Sequence, residues 1–136
     1  MNKRRILIVD DEAHVIRVLR LVLEREGYQV EGAADGFEAL DKMQTRRPDV
    51  MVSDIQMDGM NGRELCHAAR ERYPDEPFLI LVMTSMTASG EREWVRKLKN
   101  VEFLEKPLSP RQLSTRLAAH FAALATQQEK PDASAS

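Results

Sequence analysis

Four short apolar runs in this 136-residue chain lead straight into residues that can do chemistry. Ile6-Leu7-Ile8-Val9 is followed by Asp10 and Asp11, and Val50-Met51-Val52 leads to Asp54. The run from Phe78 to Met83 is followed by Thr84, and Phe103-Leu104 leads to Lys106 and Pro107. Taken singly, each of these residues has an ordinary role. Asp10 and Asp11 suit a helix cap, Thr84 a turn at a strand end, and Lys106 a solvated position before a proline. Asp54 is the hardest to dismiss, because Asp is poor in strands and tolerable at their ends. Taken jointly, three carboxylates on one edge would repel one another unless a cation sits among them. Lys106 is one such cation, and a hard divalent ion is the natural other. A set of oxygen ligands without His or Cys favours Mg²⁺, which usually keeps several waters. A carboxylate, a metal, a hydroxyl and an ammonium together are what phosphoryl transfer to an aspartate needs. The metal and the lysine offset charge on the transferring oxygens, and Thr84 donates a hydrogen bond.

Those residues share an edge only if the apolar runs are parallel strands of one sheet. The continuous run at 6–9 reads as a strand covered on both faces. Ile16, Leu19, Val22 and Leu23 follow at helical spacing, and Gly27 stops that helix. A short strand lies within Tyr28–Ala33, and Phe37, Leu40 and Met43 mark a helix ended by Pro48. After the strand at Val50–Val52, Asn61-Gly62-Arg63-Glu64 reads as a capping box opening a helix with Leu65, Ala68 and Ala69 inward. Phe78–Met83 is the most hydrophobic run and is expected to be a central strand. Trp94, Val95 and Leu98 mark a fourth helix, and Phe103-Leu104 a fifth strand. Ser109-Pro110-Arg111-Gln112 supplies an N-cap, a first-turn proline and a capping-box Gln. The last helix carries Leu113, Leu117, Phe121 and Leu124 on one face. Strands alternating with helices, joined by right-handed crossovers, give an open parallel sheet with helices on both sides. Ligands of such sheets bind beyond the carboxyl ends of the strands, where strand order reverses.

Composition narrows the function further. The chain is 43% hydrophobic, enough for one core without disulfides. Twenty basic residues against 22 acidic ones give a net charge of −2, which argues against nucleic acid as the main ligand. Cys66 is the single cysteine, and His14, His67 and His120 form no metal motif. No stretch approaches the ~18 apolar residues of a membrane span, and the basic start lacks a secretory apolar region. A cytoplasmic protein is expected, with one domain over residues 1–126 and a disordered polar tail from Gln127 to Ser136.

Five motifs, in order and spacing, resemble a known family. They are Ile-Leu-Ile-Val-Asp-Asp-Glu at 6–12, Ala-Asp-Gly-Phe-Glu-Ala-Leu at 34–40, Ser-Asp-Ile-Gln-Met at 53–57, Met-Asn-Gly at 60–62 and Phe-Leu-Glu-Lys-Pro at 103–107. To about Leu124 the sequence resembles a response-regulator receiver domain of two-component signalling, of the single-domain, chemotaxis-regulator type. The resemblance implies a flavodoxin-like (βα)5 fold with strand order 2-1-3-4-5. It implies that Asp54 is the phosphoacceptor, and that Asp10, Asp11, Asp54 and the Gln56 backbone carbonyl hold Mg²⁺. By the same resemblance Thr84 is the switch hydroxyl, Lys106 the phosphate-binding lysine, Phe103 the switch aromatic and Pro107 a cis-proline. The implied partners are a sensor histidine kinase or histidine phosphotransfer protein, and a downstream protein that reads the face of helix 4, strand 5 and helix 5. Neither direct nucleic-acid binding, membrane contact nor enzymatic turnover is expected.

Four residues, at three places, depart from the family pattern. Asp58 stands in place of the usual proline, Ser85 in place of Ala or Gly, and Asn100-Val101 in place of Gly-Ala. None removes a role residue. Outside the motifs, Cys66 reads as a packed hydrophobe, His14 as a surface residue and His120 as a packed one. The Arg92, Arg96, Lys97 and Lys99 cluster reads as a solvated face or a docking surface, with Trp94 beside it partly in the core. A receiver excised from a longer regulator is equally compatible. An aspartate-nucleophile phosphatase of the haloacid-dehalogenase type needs an acid two residues after its nucleophile, where this chain has Gln56. A flavodoxin-like FMN binder needs a Ser/Thr/Gly-rich phosphate loop, and Asp10-Asp11 would repel that phosphate.

Overall fold

The computed structural model describes residues 3–57, 59–84, 89–106 and 108–129. Strands β1 (Arg5–Val9), β2 (Gln29–Ala33), β3 (Val50–Asp54), β4 (Leu79–Thr84) and β5 (Val101–Glu105) alternate with five helices. These are α1 (Ala13–Arg25), α2 (Gly36–Thr45), α3 (Gly62–Arg72), α4 (Ser89–Lys97) and α5 (Pro110–Glu129). All strand pairs are parallel and the order is β2-β1-β3-β4-β5, as the resemblance implied. The most hydrophobic run, β4, is an interior strand, while β3 occupies the centre.

Alternation along each strand sends side chains to two cores. Leu7, Val9, Met51, Ile80 and Val82 meet α2, α3 and α4 through Leu40, Met43, Leu65, Cys66 and Trp94. Ile6, Ile8, Val52, Leu81 and Met83 meet α1 and α5 through Leu19, Leu23, Leu113 and Leu117. On α3 the buried positions are Gly62, Leu65, Cys66 and Ala69; Ala68 is only half-buried, so Cys66 takes the inward place expected for Ala68.

The boundaries follow from local chemistry. Gly27 ends α1 at φ 96°, a left-handed value that favours glycine. Asp35 caps α2 by accepting from the Glu38 amide at 2.8 Å. Asn61 and Glu64 form the expected reciprocal capping box on α3. Ser109 and Gln112 form another at α5. Asn100 occupies a left-handed turn at φ 55°, which Asn tolerates better than other non-glycine residues. That geometry accounts for how Asn replaces Gly there. Helix α5 continues through Glu129, so residues 127–129, expected to open a disordered tail, are helical. Gln and Glu are good helix formers, and the first breaker is Pro131. At the outer strand β2, the Lys42 ammonium donates to the Gly32 carbonyl, and a Glu38 carboxylate oxygen accepts from the Ala34 amide.

Candidate functional site

Both polar strand ends belong to the sheet itself. Asp54 is the last residue of β3, in register with Met83, and Thr84 the last of β4, in register with Glu105. The Ile55 amide donates to the Met83 carbonyl at 3.0 Å and the Lys106 amide to the Thr84 carbonyl at 2.8 Å. The ladder therefore holds both backbones beyond the apolar runs that signalled the strands, Thr84 by one residue and Asp54 by two. Asp10, Asp54 and Thr84 are all buried, and Asp11 is exposed.

The structure brings Asp10, Asp11 and Asp54 together, with one carboxylate oxygen of each within 4.8 Å of the others. Lys106 Nζ lies 3.1 Å from Asp54 Oδ2. Asp54 Oδ1 faces the Gln56 amide at 3.4 Å. Asp10 Oδ1 accepts from the Glu12 amide at 2.9 Å, whereas its buried Oδ2 has no hydrogen-bond partner. Burial pushes the Asp10 carboxyl above the usual range, and the Asp54 and Asp11 charges push the same way. The Glu12 amide and the Lys106 ammonium oppose them. A buried carboxylate oxygen without a donor, in a cluster of hard oxygens, fits a divalent cation.

The family described as "Response regulator receiver domain" matches residues 6–118. The chain belongs to the response-regulator receiver domain family. This receiver is 37% identical over 119 residues to the alkaline phosphatase synthesis transcriptional regulatory protein PhoP of Bacillus subtilis, covering 88% of the chain and 48% of that protein. It is 39% identical over 115 residues to the response regulator MprA of Mycobacterium avium, covering 85% of the chain and 50% of that protein. The receiver thus spans about half the length of these curated relatives. Among solved structures, the chemotaxis protein CheY4 of Vibrio cholerae matches with TM-score 0.80 and 33% identity, covering 87% of this chain and 98% of that one. A CheY-like receiver domain protein of Methanospirillum hungatei matches with TM-score 0.84 and 26% identity, covering 93% and 99%.

In the receiver, the other residues singled out from the sequence lie in several places. Phe103 lies in β5 in register with Val82, half-buried against the α2–α3–α4 core. Asp58, Ser85 and Pro107 lie outside the described residues. Trp94 is buried rather than partly core, with Arg63 over its ring and the His67 ring 6.0 Å away. Burial pushes the Cys66 thiol up to about 12. His14 is exposed beside Glu12, and His120 is half-buried against Phe121. Among the described residues no helix is long and apolar enough to cross a membrane.

One site residue escaped the sequence reading. A Cβ on Gly62 would lie 2.4 Å from the Asp54 carbonyl oxygen and 2.8 Å from Ile55 Cα. The Gly62 amide donates to the Ile55 carbonyl at 2.9 Å. The start of α3 therefore rests directly on the backbone that carries Asp54. The glycine sits in the Met-Asn-Gly motif, but only the fold shows what it touches. Ser53 adds a second support by donating its hydroxyl to the Asp54 carbonyl at 3.0 Å.

Proposed function

We propose that this receiver is a phosphorylation-controlled switch whose acceptor is Asp54. The observation that carries the reading is the Lys106 ammonium on a buried Asp54 carboxylate inside a three-carboxylate cluster. The donor is a phosphohistidine on a sensor histidine kinase or a histidine phosphotransfer protein. An Asp54 oxygen forms the new P–O bond as the donor's P–N bond breaks, and that bond's electron pair stays on the imidazole nitrogen. Asp10, Asp11, Asp54 and the Gln56 carbonyl would hold Mg²⁺, which when bound offsets charge on the transferring oxygens. Lys106 moves with the charge from the carboxylate to the phosphoryl oxygens, and Thr84 donates its hydroxyl to them.

The output is a change of protein surface over α4, β5 and α5, with Thr84 and Phe103 as its relay. Moving a population from 1:99 to 99:1 needs about 5.5 kcal/mol. A charge-assisted hydrogen bond from Thr84 supplies roughly 1.5–3 kcal/mol. Lys106 and ordering of the loops around the site supply the rest. Phe103 has no hydroxyl, so packing alone sets its preferred rotamer. The phosphoryl group is a signal here, not a turnover product, and the setting is cytoplasmic, with no direct nucleic-acid or membrane contact. The receiver domain spans residues 1–126 in this reading. It serves either as a stand-alone switch or as the receiver portion of a longer regulator, since its curated relatives are about twice as long.

Intact mass after treatment with a small acyl phosphate and Mg²⁺ tests the reading. One phosphoryl group is expected on the native chain and none on Asp54→Asn or, at the same exposure, Asp11→Ala. Full labelling of Asp54→Asn would overturn the assignment.

A further inference from the structure

At the end of the sheet opposite Asp54, one side chain ties three segments together. Arg70, in the last turn of α3, donates to the carbonyls of Glu76 at 3.3 Å, of Phe78 and of Asn100 at 3.0 Å. Its guanidinium also stacks 4.4 Å from the centre of the Phe78 ring. Phe78 immediately precedes β4 and Asn100 immediately precedes β5. The Asn100 carbonyl accepts a second hydrogen bond, from the Ile80 amide at 2.9 Å, and its side-chain amide donates to the Pro77 carbonyl at 3.4 Å. Only Leu98 and Lys99 separate this knot from the end of α4, and the Leu98 amide donates to Val95 at 3.3 Å.

We propose that Arg70 and Asn100 form a fixed pivot for α4, so that phosphorylation at the far end of the sheet is read as a tilt of that helix rather than a displacement of it. Arg70 is a positioning residue in this scheme and touches no reacting atom. The inference rests on the phosphorylation reading above and adds how the signal is shaped. A planar guanidinium with several fixed donors suits this task better than a single ammonium, because it can hold three carbonyls at set angles. The left-handed turn at Asn100 presents its carbonyl to two donors at once. At 1.5 Å per residue the nine residues of α4 span about 13 Å, so a tilt of about 10° about one end moves the other by about 2 Å. Trp94 and Val95 lie closer to the pivot and stay in the core during such a tilt. Trp94 is the single tryptophan and packs toward Arg63 and His67 of α3. Its emission therefore reports the angle between the two helices.

The test uses the full chain with Mg²⁺ and beryllofluoride, read by Trp94 emission, with mass after acyl phosphate as a separate measure of Asp54 labelling. Arg70→Met keeps the apolar cover over Phe78 and removes the donors. It should label as fully as the native chain yet lose at least half of the Trp94 response. Arg70→Lys should fall between them, and Asn100→Gly, which keeps the left-handed turn, should respond fully. A full Trp94 response in Arg70→Met overturns the pivot. Amide exchange without any phosphodonor gives an independent arm. Ile80 and Leu98 should exchange at least tenfold faster in Arg70→Met, and unchanged exchange overturns the proposal. Absence of labelling in the native chain would instead defeat the phosphorylation reading, leaving the exchange arm to decide the clamp.

Discussion

Replacing Gly62 with Ala would test how closely the backbone at Asp54 is supported. The new Cβ would lie 2.4 Å from the Asp54 carbonyl oxygen, about 1 Å short of the 3.4 Å where ordinary contact begins. The opposing atoms are backbone in a central strand, so no flexible side chain can yield. Either α3 lifts off β3 or Asp54 shifts, and a lift stretches the 2.9 Å bond from the Gly62 amide to Ile55. Overpacking of this kind costs about 1–3 kcal/mol. At roughly 4 °C per kcal/mol for a domain of this size, Tm should fall by roughly 4–12 °C. A misplacement of about 1 Å at a reacting group lowers a rate by about 100-fold. The phosphorylation rate of Gly62→Ala should fall toward that limit at a temperature where the variant is folded. Gly27→Ala is the control. It meets nothing within 4 Å but strains a φ of +96°, so it should lower Tm and leave the rate unchanged. A Gly62→Ala protein with native Tm and native rate would refute the reasoning.

Other outcomes follow from the same geometry. Asp10→Asn keeps an acceptor for the Glu12 amide and removes a buried charge beside Asp54, so without Mg²⁺ it should raise Tm by roughly 4 °C, for about 1 kcal/mol; calorimetry would read this, alongside a loss of Mg²⁺ binding. Cys66, buried with its thiol pushed up to about 12, should resist thiol reagents in the native state and react fully in denaturant. Burial and the nearby Arg116 and Arg4 push His120 below its usual value, against Glu102 and Asp49. The unfolded chain then binds the extra proton first, so stability is lost as pH falls through the ordinary His value of 6.5. Thermal melts across that range should show a shallower decline in His120→Gln.

Much of this is legible in the sequence alone, for physical reasons that also mark where legibility stops. Short continuous apolar runs such as Leu79–Val82, bounded by turn residues, read as strands covered on both faces, and Asn61 with Glu64 announces its helix start through local hydrogen bonding. Asp54 and Thr84 read as residues after their strands because polarity hides strand character; the neighbouring strands, through Met83 and Glu105, hold them in the ladder. The gathering of Asp10, Asp11 and Asp54 followed from parallel topology. The contact between Gly62 and Asp54 could not, because spacing along a chain carries no information about how closely two backbones approach. Nor could the Arg70 knot, whose partners at Glu76, Phe78 and Asn100 are backbone carbonyls that every residue possesses.

The Lys42 and Glu38 side chains at β2 bear on what the outer edge of the sheet offers to another chain. An outer strand offers a row of free amides and carbonyls, a template on which another chain can polymerise. Here Lys42 occupies the Gly32 carbonyl and Glu38 the Ala34 amide, while an ion pair between the two side chains keeps both in place. At the opposite margin, β5 carries the Glu102–Arg116 ion pair along its flank. The β2 margin is thus partly closed to strand-on-strand growth, because two of its outward backbone groups already have side-chain partners from α2.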